Sequence, residues 1–263
     1  MGDDALTRKT ETAASFNSRA ADFDRQGLFV HFGRRLVEVI GIEPGQRVLD
    51  VATGRGASLF PAIECVGTTG DAVGVDLAEG MVQAANEEAE RRGWGPRVRA
   101  MDAEHLDFPD AVFDRVLCGF GVMSFPHLDQ ALSEFRRVLK PGGRLGLSTW
   151  RVGPFEEIQS VLDELRLGSP RSGWITEPDD LTRILLGAGF TDVRVATDPG
   201  THHYADVEEF WQGACRAGPR RLDSLDASQL ERTRTTLLER LRAQEEPDGL
   251  DLVAIALLGV ASR

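Results

Sequence analysis

Three carboxylates and a glycine turn stand where apolar runs stop. Asp50 lies in Val48-Leu49-Asp50-Val51-Ala52-Thr53-Gly54-Arg55-Gly56, Asp76 in Val73-Gly74-Val75-Asp76 and Asp102 in Ala100-Met101-Asp102-Ala103, with Leu139-Lys140-Pro141-Gly142-Gly143 further on. Residues at the carboxyl ends of parallel strands face the crevice in which open α/β sheets hold ligands. Gly54 and Gly56 permit positive φ and let backbone come close to a ligand. The helix pattern expected from Ala57 turns its free N–H groups toward electronegative ligand atoms. Asp76 follows Gly56 by twenty residues, the offset at which a carboxylate reaches the hydroxyls of a nucleoside ribose. Each carboxylate also has an ordinary reading as a helix N-cap, but their shared register argues for a common ligand.

A nicotinamide-binding fold would share these features, yet its fingerprint places a third glycine three residues after the second, where this chain has Leu59. A third acidic site at Asp102, after residues 98–100, adds a group suited to adenine, whose amino donor and ring-nitrogen acceptor pair with a carboxylate and the next backbone N–H. Over roughly residues 12–150 the four segments resemble the class I S-adenosylmethionine-dependent methyltransferases. The resemblance assigns the adenine contacts to Asp102 and Ala103 and places Phe16, Asp50, Ala52, Gly54, Gly56, Asp76, Leu77, Met81, Cys118, Gly119 and Phe120 around S-adenosylmethionine, with S-adenosyl-L-homocysteine as product. Ala52 departs from the pattern, because it stands where the family has the first glycine of the turn.

The elements that position these groups follow from periodicity. Residues 10–40 read as helical through Phe16, Ala20, Phe23, Leu28, Phe32 and Leu36. The run from Phe16 to Asp24 resembles the leader of quinone-biosynthesis-type methyltransferases, where it folds over the cofactor; a plain docking helix is the alternative. Residues 46–150 alternate strand and helix, with strands at 46–51, 72–75, 98–100, 113–119 and 144–149 and a helix at 129–139 closed by Pro141-Gly142-Gly143. A helix over 178–186 and strands at 190–196 and 252–261 follow, the last placed antiparallel by the resemblance. The fold expected is α/β and Rossmann-like: a seven-stranded, mostly parallel sheet with helices on both faces and helical lid inserts. Its parts are a leader (1–40), a cofactor-binding core (41–150) and the rest of the sheet with a substrate lid at about 199–250 (151–263). The inserts, with Trp150 leading in, carry Phe155, Trp174, His202, His203, Tyr204, Phe210 and Trp211, which either wall a substrate or serve as core.

Composition narrows the substrate. Thirty basic and 42 acidic residues give a net charge of −12, and the basic residues interleave with acids, as in Glu231-Arg232-Thr233-Arg234, the pattern of solvated helix faces. A nucleic-acid substrate is disfavoured, and a small, largely apolar methyl acceptor is expected. No run approaches the length needed to span a bilayer, and the acidic start Met1-Gly2-Asp3-Asp4 is unlike a signal peptide. Cys65, Cys118 and Cys215 read as buried, reduced thiols, so a cytoplasmic monomer or homodimer is expected. No metal-ligand spacing occurs. Of five histidines, His31 and His127 are the candidates for a general base, each with a structural alternative, while His105 reads as surface. The resemblance implies methyl transfer to an O, N or C centre of a small metabolite in bacterial secondary metabolism. A protein that holds S-adenosylmethionine for a non-methylating step such as a cyclisation is the second reading, and an interaction protein without chemistry the third.

Overall fold

The computed structural model describes residues 2–23, 27–168, 175–217 and 221–263. Five parallel strands, β1 (Arg47–Val51), β2 (Asp71–Asp76), β3 (Val98–Ala100), β4 (Phe113–Gly119) and β5 (Leu139–Val152), carry the first half of the chain. With β6 (Thr191–Tyr204) and β7 (Leu250–Ser262) they form one sheet in the order β3-β2-β1-β4-β5-β7-β6, in which β7 runs antiparallel to both neighbours. The order reverses direction between β1 and β4, so the ends of those two strands flank the crevice of the sheet. Four of the five residues of β1 are buried because helices cover both faces.

One face is packed by α2 (Leu28–Ile40), α3 (Leu59–Val66) and α4 (Glu79–Arg91), which bring Phe32, Leu36, Ile40, Leu59 and Ala85 onto Val48 and Leu117. The other is packed by α5 (Leu128–Val138) and α7 (Pro178–Gly187), which set Leu132, Phe135, Leu181 and Leu185 against Leu49, Val116 and Leu147. A side chain such as Phe32, fully removed from water, contributes about 1.5–3 kcal/mol of hydrophobic free energy. A third cluster lies away from these two. Ile158 and Leu162 of α6 (Glu156–Glu164), Phe210 and Trp211 of α8 (Val207–Ala217) and Leu237 and Leu241 of α9 (Ala227–Leu241) pack together with Tyr204 and Leu250 from the ends of β6 and β7. The cap of α9 is a reciprocal pair: the Asp226 carboxylate accepts from the Gln229 N–H, and the Gln229 amide oxygen accepts from the Asp226 N–H.

Several expectations are corrected. The leader is two helices, α1 (Gly2–Arg19) and α2, with Gly27 at φ 77° before the second; residues 24–26 lie outside the described residues. Helix α3 opens at Leu59 rather than Ala57, because residues 54–57 are spent on the turn. Strand β5 starts at Leu139, and Gly142, at φ 76°, lies within a register shift opposite residues 113–115. Strand β6 continues through His202, His203 and Tyr204, paired with Leu252, Asp251 and Leu250, so these three are sheet residues and the insert starts after Tyr204. Cys65 and Cys215 are exposed, and only Cys118 is buried. Trp174 lies outside the described residues.

Trp211 is 7% exposed within the third cluster and does not reach the large cavity described below, so it serves as core. Trp211→Ala is expected to lower the unfolding free energy by about 3–5 kcal/mol in urea titration.

Candidate functional site

A cavity of about 950 Å³ opens over the carboxyl ends of β1, β2, β3 and β4 beneath α1 and α2. Its floor is the turn after β1, held in place by hydrogen bonds that run between strands. The Thr53 N–H donates to the Val75 carbonyl, and the Gly54 N–H donates to Asp76 Oδ2 at 2.8 Å. Asp76 Oδ1 accepts from the Ala78 N–H at 2.9 Å, which starts α4. Gly54 sits at φ 55°, and a Cβ placed there meets nothing within 4 Å because it points into open space. Gly56, at φ 88°, has the Phe60 ring 2.6 Å from where a Cβ would stand, so any side chain there displaces the phenyl. Ala52, the residue that departs from the family pattern, takes φ 54°. Its methyl fits because residue 121 is glycine: a Cβ on Gly121 would fall 2.6 Å from that of Ala52.

The carboxylates differ in environment. Asp50 is 1% exposed; its Oδ2 accepts from the Thr53 hydroxyl at 2.6 Å, and its Oδ1 has no partner. Burial pushes its pKa up to about 7, against the Thr53 hydrogen bond and with help from the charge of Asp76. Burial also raises Asp76, opposed by the N–H groups of Ala78 and Gly54. Asp102 goes the other way: its burial is outweighed by Lys9, whose Nζ lies 2.7 Å from Oδ2, and by the Glu104 N–H, so it stays below the ordinary range. Lys9 also reaches Glu104 at 2.5 Å, a side chain 1% exposed that accepts from the His127 N–H. Burial of Glu104 is likewise outweighed, by Lys9 and His127. Lys9 thus fastens α1 to the loop after β3. Asn17 makes a second tie, accepting from the Gly80 N–H at 2.8 Å, and Arg55 a third, donating to the carbonyls of Ala20 and Ala21.

Aromatic rings line the other end of the cavity. Phe120, at φ 60° just past β4, stacks on Trp150 with centroids 3.9 Å apart. Phe29 meets both edge-on and stacks on Phe23, which lies against Phe16. Phe155, before α6, also lines the cavity.

Of the residues expected around the cofactor, Phe16, Ala52, Gly54, Gly56, Asp76, Leu77, Met81, Asp102, Ala103, Gly119 and Phe120 line this cavity. Asp50 and Cys118 do not; both are covered by the turn and the loop after β4, and burial raises the Cys118 thiol far above its usual range. Neither His31 nor His127 reaches it. His31 packs beside Phe32 toward Gly200 on the sheet side of α2, and His127 Nδ1 is turned to Glu104 Oε2 at 3.0 Å. Sequence reasoning missed Lys9, Asn17, Gly33, Arg34 and Glu104. Gly33 had a readable signal as a glycine inside a helix: a Cβ there would stand 2.3 Å from the Ala57 carbonyl, so its absence lets α2 press on the glycine turn.

Comparisons with known proteins fit this geometry. A methyltransferase-domain family model matches residues 48–143. Aklanonic acid methyltransferase DauC of Streptomyces sp. is 34% identical over 210 residues, 72% of this chain and 96% of that protein. The chain belongs to the class I S-adenosylmethionine-dependent methyltransferase family. A nocamycin O-methyltransferase of Saccharothrix syringae is 35% identical, over 68% of this chain and 72% of its own length. A ubiquinone/menaquinone C-methyltransferase, UbiE of Ectopseudomonas mendocina, is 37% identical over 53% of this chain and 58% of its own. Among solved structures, YcgJ from Bacillus subtilis superposes with a TM-score of 0.62 at 21% identity, over 89% of this chain and 98% of that one. The [4+2]-cyclase SpnF gives 0.55 at 20% identity, over 88% of this chain and 80% of its own, which is a likeness of fold. The relatives at 34% and 35% identity are methyltransferases, so the cyclase reading is not favoured. Among the described residues no cluster fit for a metal and no helix long and apolar enough to cross a membrane is present.

Two outcomes are expected. Native Asp50 keeps its proton up to about pH 7, whereas an unfolded aspartate loses it near pH 4. The native state therefore binds more protons across that window, and stability falls as pH rises through it. Urea titrations at pH 5 and pH 8 should show a smaller loss in Asp50→Asn than in wild type. Lys9→Met leaves Glu104 buried without its cation, so amide exchange in α1 should quicken by about tenfold or more.

Proposed function

We propose that the cavity binds S-adenosylmethionine and transfers its methyl group to a small, largely apolar metabolite rather than to nucleic acid. One arrangement carries the reading: a glycine turn open to ligand at Gly54, with the carboxylates of Asp76 and Asp102 lining the same cavity. In this assignment Asp76 accepts from the ribose hydroxyls with the lone pairs left over from Gly54 and Ala78. Asp102 and the Ala103 N–H meet adenine, and Leu77 and Met81 pack on the rings. Gly119 and Phe120 border the amino-acid part.

The charge of the site supports a cationic ligand. Asp76, Asp102 and Glu104 gather around the strand ends, where their negative potential favours a sulfonium and an ammonium group. A dinucleotide's phosphates would meet repulsion there, and the one arginine of the turn, Arg55, is engaged with carbonyls of the leader.

S-adenosylmethionine, when bound, supplies an electrophilic methyl on sulfur. The chain's own part is to hold the acceptor in line beside it and exclude water, and orientation alone contributes about 7–11 kcal/mol to such a step. The stacked rings of Phe120, Trp150, Phe29 and Phe23 form an apolar wall suited to a flat acceptor. The leader helices close the cavity above it, and 950 Å³ is at the upper end of the range for small-molecule pockets.

Asp76→Ala is expected to weaken S-adenosylmethionine binding by about 1–3 kcal/mol in titration calorimetry. Unchanged affinity in a folded variant would overturn the ribose assignment. Gly54→Val should be worse, since its side chain occupies the open space of the turn and takes a φ that β-branched residues avoid.

A further inference from the structure

The two carboxylates that line the cavity at strand ends are held in different ways. Asp76 ends β2, an interior strand, and takes a backbone N–H on each oxygen, from Gly54 on Oδ2 and from Ala78 on Oδ1. Asp102 follows β3, a strand of three residues at the rim of the sheet, beside β2. Backbone reaches its Oδ1 through the Glu104 N–H at 2.9 Å. Its Oδ2 is taken by Lys9 Nζ at 2.7 Å, from a helix 93 positions away in the sequence.

Lys9 stands on the stripe of Lys9, Thr12, Ala13 and Phe16 with which α1 faces the cavity. The same ammonium lies 2.5 Å from Glu104 Oε2, on a side chain 1% exposed. Among the described residues no other lysine or arginine pairs with either carboxylate. Their remaining titratable neighbours are imidazoles, His105 Nδ1 at 3.5 Å from Asp102 Oδ2 and His127 Nδ1 at 3.0 Å from Glu104 Oε2. Burial favours a proton on each carboxyl, and two ionised groups so close repel; with Lys9 between them both stay below the ordinary carboxylate range. The Asp102 side chain keeps 28% of its surface open on the cavity side. A carboxylate fixed through both oxygens presents its remaining lone pairs in one direction, ready for a donor on a ligand.

We propose that Lys9 is a positioning residue for the cofactor's purine: by bridging Asp102 and Glu104 it aims the Asp102 carboxylate at the 6-amino group, so that recognition of the base depends on a residue of the leader. This rests on the adenine assignment above. Lys9 touches no reacting atom and acts through Asp102. A charge-assisted hydrogen bond to an acceptor held still separates adenine from a purine that lacks the donor, whereas an acceptor free to turn away separates them poorly.

Titration calorimetry on the full chain tests this with two probes, S-adenosylhomocysteine and its analogue carrying hydrogen in place of the 6-amino group. The wild-type protein should prefer the amino-bearing probe about tenfold or more. Lys9→Met should reduce that preference to about twofold or less. The double variant Lys9→Met/Glu104→Gln, which leaves no buried glutamate without its cation, should lose it to the same extent and replaces the single variant if that one does not fold. A role confined to docking α1 predicts otherwise, and Asn17→Ala reports on it. This variant removes the leader's tie to the Gly80 N–H without touching Asp102, so it should weaken both probes alike and keep the preference. A preference that survives removal of Lys9, one that Asn17→Ala abolishes as fully, or equal binding of the two probes by wild type would each overturn the proposal and leave the methyl-transfer reading standing. Failure of the wild-type protein to bind S-adenosylhomocysteine would overturn both.

Discussion

The site depends on a hydrogen bond between two strand ends: the Gly54 N–H, in the turn after β1, donates to the Asp76 carboxylate at the end of β2. It fixes the height of the turn over the sheet, and it keeps a half-dry carboxylate supplied with donors, without which burial would be costly. The surrounding residues are arranged around that constraint. Gly74 lacks a side chain where Thr53 and Leu59 crowd within 3.0 Å, so the turn can lie down on β2. Gly121 makes room for the Ala52 methyl, and Gly33 lets α2 touch Ala57. The three glycines belong to different elements, and each removes the Cβ that would lift the turn.

Above the turn, the leader is held in a different way. Helix α1 carries a mostly polar sequence and buries only a small apolar group, Phe16 with Ala20, Met81 and Phe23, against the cavity edge. Its other ties are polar: Lys9 to two carboxylates, Asn17 to the start of α4, and the Ala20 and Ala21 carbonyls to Arg55. Contacts of that kind hold geometry closely but contribute little net stability. Helix α2 is different: Phe32, Leu36 and Ile40 are fully buried, so it is part of the core and a rigid mount for Val30 and Arg34.

The long antiparallel pair of β6 and β7 organises the second half of the chain. By continuing the sheet to Tyr204 and Leu250 it carries a small helical layer with a core of its own, in which Tyr204, Phe210 and Trp211 fill space. His202, buried in β6 with Nε2 unpartnered, is held below its usual pKa by burial. Of the aromatic groups in the chain's second half, Trp150 and Phe155 line the cavity, because they stand where β5 leaves the sheet.

The sequence alone specified the strand ends and the acidic residues that stand on them. Asp50, Asp76 and Asp102 were legible because each follows an apolar run at an offset fixed by local geometry, and Gly54 and Gly56 because a turn that meets a ligand needs a residue without Cβ. The helices on either face were legible from their apolar period. Tertiary structure decided what depends on distance along the chain. The separation of 93 positions between Lys9 and Asp102 leaves no local trace of their pairing, nor does any pattern near His31 or His127 tell which way its ring turns. The same holds for Trp211 and Phe29: hydrophobic period marks a face, but only the packing of that face against its neighbours makes one residue core and the other part of a cavity wall.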